Sequence, residues 1–213
     1  MKKMLVIAGP SAVGKTTVSD EILRQNSNFT LIRSATTRAP RGDGHDGEYV
    51  YLSESEFRCE IDLGGMLEYT EYSGCLYGTP KSELLRAERE GKIPLLILEL
   101  SGVRAVRESE FSESALLVYL YDSLDILEER LYARYMTPPT KEGQVKFEKR
   151  RAQNIADYRM LREKAEIFDL LISNAASPVD TASAIIKAMS EPLVNDKNGI
   201  LDFLHDMANA KKP

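Results

Sequence analysis

The sequence predicts an α/β domain with a parallel sheet covered by helices on both faces. Three observations carry that prediction: short solid apolar runs, charged helix-length segments between them, and a glycine-bounded turn after the first run. Met4-Leu5-Val6-Ile7-Ala8 is closed by Gly9-Pro10, the pattern of a strand buried on both faces. Over residues 16–24, Val18, Ile22 and Leu23 recur at helical spacing, so the chain opens as strand, glycine loop and helix. The runs PLLIL at 94–98 and ALLVYL at 115–120 repeat the first strand, and FDLLISN at 168–174 adds a fourth after a long charged helix.

Residues 33–87 read differently. Glycines at 42, 44, 47, 64, 65, 74 and 78 punctuate short strands, YVYL at 49–52 and LEYTEY at 67–72, in which tyrosines and charges alternate. This predicts a small, partly antiparallel excursion set between core elements. A second interruption, TPPTKEGQ at 137–144, separates two arginine-rich helices, where the prolines forbid continuous helix and predict a mobile loop. After Met189, Pro192 breaks the preceding helix. Ile200, Leu201, Phe203, Leu204 and Met207 then form an apolar stripe, predicting a short C-terminal helix that folds back on the core or makes a dimer contact.

Composition narrows the class of function. The 213 residues are 43% hydrophobic and 29% charged, enough for a sizeable core and too apolar for disorder. A net charge of −5 argues against general affinity for nucleic acid or an anionic membrane. No run approaches the ~20 apolar residues that span a bilayer, and Met1-Lys2-Lys3 leads into an apolar run too short for a secretory signal. Cys59 and Cys75 show no CxxC spacing, so the expectation is a reduced, cytoplasmic setting.

Gly9-Pro10-Ser11-Ala12-Val13-Gly14-Lys15-Thr16 satisfies G-x-x-x-x-G-K-[ST], and a strand before it with a helix after it gives the motif its meaning. Tight glycine turns aim the N–H groups of residues 9–17, Thr17 included, at one phosphate chain. Lys15 supplies a cation to the β and γ phosphates and the Thr16 hydroxyl a ligand to Mg²⁺. That makes the loop a nucleoside triphosphate site. In the excursion, Arg38 and Arg41 lie three apart in an extended segment, and planar guanidinium forks suit a phosphate monoester. Glu68, Tyr77 and Thr79 add a carboxylate, a phenol and a hydroxyl. A carboxylate accepts from the adjacent N1 and N2 donors of guanine, a pair that adenine lacks.

From the phosphate loop to about Asn174 the sequence resembles guanylate kinases, most densely across 33–80. The resemblance implies a three-layer αβα P-loop kinase core (1–32 and 88–189), an inserted NMP-binding subdomain (33–87), a mobile helical lid (about 133–150) and a C-terminal extension (190–213). It implies that Ser34, Glu68 and Thr79 read the guanine, that Arg38, Arg41, Tyr49 and Tyr77 hold the GMP phosphate, and that Arg134 and Arg150 (or Arg151) close over the ATP phosphates. Lys15, Arg41, Arg134 and Arg150 become the catalytic cations, and Asn174 borders the ATP base side. The implied substrates are ATP and GMP, with Mg²⁺, in a monomer or homodimer.

Three departures stand out. Ile97-Leu98-Glu99 keeps a carboxylate only at the second position of the family's D-x-D strand, which leaves Glu99 to face either the guanine or, through water, the metal. The step from Gly47 to Tyr49 is one residue short, and the lid runs Arg134-Tyr135-Met136-Thr137-Pro138-Pro139 with Arg130 a turn earlier as a fallback. Two other readings stand beside the leading one: a kinase of the same fold acting on another phosphorylated molecule such as ribose bisphosphate, and a guanylate-kinase-like binding module.

Overall fold

A computed structural model describes residues 2–40, 49–72, 74–191 and 196–211 of the chain. β1 (Met4–Ala8) is buried along its whole length and feeds the phosphate loop. α1 (Lys15–Gln25) follows, then β2 (Phe29–Leu31). The excursion consists of β3 (Ser34–Thr36), β4 (Tyr49–Tyr51), α2 (Glu54–Asp62), β5 (Met66–Tyr72) and β6 (Cys75–Pro80). The chain returns through α3 (Lys81–Arg89), β7 (Ile93–Ile97), α4 (Leu100–Arg107) and β8 (Ala115–Tyr121). It ends with α5 (Leu124–Tyr135), α6 (Lys141–Lys164), β9 (Leu170–Ser173), α7 (Pro178–Ala188) and α8 (Lys197–Ala210).

Five strands form the main sheet in the order β2-β7-β1-β8-β9, every neighbouring pair parallel. A parallel sheet must be covered on both faces, and the solid runs of β1, β7 and β8 meet that demand. Leu5, Ile7, Leu95, Leu117 and Leu120 have essentially no exposed surface. From the central strand β1 the chain crosses to one side for β2, whereas β8 lies on the other side. That reversal opens a crevice at the carboxyl end of β1, where ligands of such sheets bind.

The excursion is a second sheet of order β4-β3-β6-β5. β3–β6 and β5–β6 are antiparallel, whereas β3–β4 is parallel. It rests on its own small core of Ala35, Phe57, Met66 and Leu76. Several elements were not singled out from sequence. β2 is only three residues long, and α2 carries a reciprocal cap in which the Ser53 hydroxyl accepts from Glu56 N–H while Glu56 accepts from Ser53 N–H.

The interruption between the arginine-rich helices is shorter than expected. α5 ends at Tyr135 and α6 begins at Lys141, so 141–144 are helical and only 136–140 connect the two. Pro138 and Pro139 stop the helix, but the Thr140 hydroxyl accepts from Gly143 N–H at 2.9 Å and restarts it at once. The C-terminal helix packs inward: Leu201, Leu204 and Ala208 are buried, while Phe203 is 56% exposed. The Met207 sulfur accepts from Leu124 N–H at 3.0 Å, and Arg159 donates to the Ala208 carbonyl at 3.0 Å. Thus α8 is laced to the start of α5 and to the last turns of α6.

Candidate active site

The phosphate loop turns back over the end of β1. Gly14 adopts φ +96° directly before α1, and a Cβ there would lie 2.7 Å from Asn174 Nδ2. Gly9 is equally constrained, since a Cβ would fall 2.5 Å from the Leu120 carbonyl oxygen. Ala12 takes the left-handed region at φ +65° without being glycine. Val13 is fully buried beneath the loop. The Lys15 ammonium curls over the loop and donates to the Gly9 and Pro10 carbonyls at 2.8 and 3.0 Å. Burial pulls its pKa below the ordinary lysine value, and the Glu99 carboxylate opposes that shift.

An open cleft beside the loop is lined by Ser11, Ala12, Gly14, Lys15, Thr16, Thr17, Glu99, Arg130, Arg134, Arg150 and Asn174. Helices α5 and α6 therefore both send arginines to it. Arg130 pairs with the buried Asp122 carboxylate at 3.2 Å and reaches the Ala12 and Val13 carbonyls at 3.4 Å. Arg134 lies over the Tyr135 ring at 5.6 Å, and Arg150 donates to the Ser11 hydroxyl at 3.4 Å. Asn174 is buried, and its Nδ2 donates to the Val13 carbonyl at 2.8 Å while its Oδ1 has no partner among the described residues. It sits against the loop itself.

A second cleft adjoins the first and contains Ser34, Tyr49, Glu68, Tyr77, Glu99 and Arg150, with Ile97 on its wall. Ser34 begins β3, Tyr49 begins β4, Glu68 lies on β5 with Thr70 and Glu71, and Tyr77 lies on β6, so all four strands contribute to its lining. The buried Thr79 hydroxyl donates to Glu68 Oε1 at 2.8 Å from the paired position on β6. Thr79 stands behind Glu68 and fixes it. Burial raises the Glu68 pKa above the usual carboxylate range, and the Thr79 hydrogen bond acts the other way. Arg38 lies over the Tyr49 ring at 5.3 Å, and its buried Nη1 has no partner among the described residues. Arg41 lies outside the described residues. Glu99 directly precedes α4, without a side-chain capping bond to it, and faces both clefts.

Several contributors were not singled out from sequence. Gln153 and Asp157 of α6 line the second cleft one and two turns after Arg150, and Asp157 is joined to Gln153 at 2.8 Å. Burial pushes the Asp157 pKa up, and the Glu99 charge adds to the shift. The helical spacing 150, 153, 157 was available in the sequence, but a helix this polar offers many such stripes. Asn154, turned toward the phosphate loop, was equally hidden.

A parallel sheet with a glycine phosphate loop at its crevice, and an inserted small sheet facing that loop, places the chain among the P-loop α/β kinases. Residues 1–192 match the family model described as Guanylate kinase. The guanylate kinase of Prochlorococcus marinus subsp. pastoris is 39% identical over 135 residues, spanning 63% of this chain and 73% of that protein. The guanylate kinase of Streptomyces coelicolor is 38% identical over 138 residues, spanning 64% and 70%. The crystal structure of guanylate kinase from Anaplasma phagocytophilum shares the fold, with TM-score 0.61 and 22% identity over 94% of each chain. The chain belongs to the guanylate kinase family. No described helix is long and apolar enough to cross a membrane.

Proposed function

We propose that this protein transfers the γ-phosphoryl group of ATP to GMP or dGMP, giving ADP and the nucleoside diphosphate. One observation carries the reading: Ser11, Glu99 and Arg150 belong to both clefts, so a donor on the loop and an acceptor on the small sheet meet over the same residues. Glu68 accepts from guanine N1 and N2, Thr79 holds it in place, and Ser34 donates to O6. Arg38, Tyr49 and Tyr77 take the monophosphate, with Arg38 offering an Nη1 that has no other partner among the described residues. Arg41 joins them by the family resemblance.

The chemistry brings two polyanions together, so charge neutralisation decides the rate. Lys15 leaves the loop carbonyls for the β and γ oxygens, while Arg134 and Arg150 close from the lid helices. A phosphate oxygen of GMP is already ionised near neutral pH, and no side chain has to remove a proton. The exposed Thr16 hydroxyl and the Glu99 carboxylate offer hard oxygen donors of the kind Mg²⁺ takes, Glu99 through water. When bound there, Mg²⁺ would supply positive charge to the triphosphate. Closure of the lid excludes water and so suppresses hydrolysis of ATP.

The same reading divides the chain into a core (1–32 and 88–189), an NMP-binding excursion (33–87), a lid (about 133–150) and a C-terminal extension (190–213). It places the protein in the cytoplasm with ATP and GMP as partners, without nucleic acid or membrane, as a monomer or homodimer. An ADP-release assay over GMP, dGMP, AMP, UMP and ribose bisphosphate tests it. Turnover is expected with the two guanine nucleotides only. Activity on AMP without GMP overturns the base assignment, and inactivity on every acceptor overturns the kinase reading.

A further inference from the structure

Loops leave the carboxyl ends of β1 and β8 side by side, and their backbone groups lie beyond the reach of the sheet ladder. Helix α6 meets both with side chains one turn apart. Tyr158 donates its hydroxyl to the Asp122 carbonyl at 2.7 Å and accepts from Asp122 N–H at 3.1 Å. Asn154 does the same for the phosphate loop: its Oδ1 accepts from Ser11 N–H at 2.9 Å and its Nδ2 donates to the Ser11 carbonyl at 3.0 Å. Both side chains are 1% exposed. An amide matches an adjacent N–H and C=O in one orientation only, so Asn154 specifies the direction of the peptide groups it holds.

What it holds is a strained place. Ser11 precedes Ala12, whose left-handed φ of +65° is costly for a residue with a Cβ and persists only where neighbours over-determine it. Residues 12–17 must aim their N–H groups at phosphate, so a rotation at Ser11 misaligns the groups that follow. Arg150 lies one turn before Asn154 on α6 and reaches the Ser11 hydroxyl, so the tether also sets the height of that arginine over the loop.

We propose that Asn154 is a positioning residue for ATP, bracing the phosphate loop against α6 through both backbone groups of Ser11. This rests on the loop being the ATP site and not on the identity of the acceptor. The test titrates ATP with Mg²⁺ against the full-length chain in the absence of acceptor. Asn154→Ala should weaken ATP binding at least tenfold and lower kcat, with KM for GMP within twofold of the unsubstituted chain. Asn154→Ser, which leaves a smaller cavity, should weaken ATP in the same direction. Tyr158→Phe removes a comparable pair of backbone contacts from the same helix. It should lower the melting temperature by a similar amount and leave ATP affinity within twofold. ATP affinity within twofold of the unsubstituted chain in either folded Asn154 variant would refute the brace, as would an equal loss in Tyr158→Phe. An unsubstituted chain that binds ATP but spares GMP refutes only the acceptor reading.

Discussion

The donor and acceptor sides of the cleft are built from opposite materials. The donor side is main chain: nine consecutive residues, 9–17, wrapped at the end of β1 and held from behind by Asn154, Asn174 and Arg130. The proposed acceptor side is side chain, drawn from all four of β3, β4, β5 and β6 and mounted on a sheet whose private core has four buried members. A backbone cradle tolerates exchange of most of its side chains and depends on its braces. A side-chain pocket reads a base finely and fails with any one reader, or with the small core beneath it.

The sharpest separation comes from Lys15. Lys15→Met should cut kcat about 10³-fold, the scale for removing one preorganised charge from a transition state, while GMP affinity measured directly stays within twofold. Equal damage to both affinities would merge the two sides. Next is Phe57, a fully buried member of the small core. Phe57→Ala should cost about 3–4 kcal/mol of local stability. Because that core carries the acceptor sheet alone, KM for GMP should rise steeply while ATP binding, followed by titration, holds. Parallel loss of ATP would show that the two cores melt together.

The smallest effect sharpens the comparison through pH. Glu68→Gln should raise KM for GMP roughly 10- to 100-fold near neutral pH, as expected for a hydrogen bond to a charged group. On the proposed reading the ionised carboxylate of the unsubstituted chain is the binding form, and burial lifts its pKa. KM for GMP should therefore climb as pH falls through a value above the usual carboxylate range. The Gln variant has no such proton to gain and should give a flat profile there; matching profiles would remove Glu68 from guanine recognition.

The two sides also differed in how plainly they could be read. Residues 9–17 are contiguous, and a motif between a solid apolar run and a helical pattern is nearly a description of the cradle. Glu68 and Thr79 sit eleven residues apart, and their hydrogen bond exists only because β5 and β6 pair in one register. α2 was not singled out although Ser53 and Glu56 have capping-box spacing, because its nine residues fell in a stretch dominated by glycine and tyrosine. The lid interruption was overextended because two prolines outweighed the Thr140 cap that restarts α6 within the same five residues.

By itself the sequence determined the elements whose chemistry is local: apolar strands, the phosphate loop, the arginine-bearing helices α5 and α6 and a short terminal helix. Periodicity and backbone chemistry act over a few neighbours, so a one-dimensional string contains them. Only the tertiary structure decided that Glu99 faces both clefts, that Asp157 approaches Glu99, and that Asn154 turns from a polar helix to grip Ser11 across 143 residues of chain. Those relations depend on which helix face meets which loop, and a polar helix leaves that choice to packing.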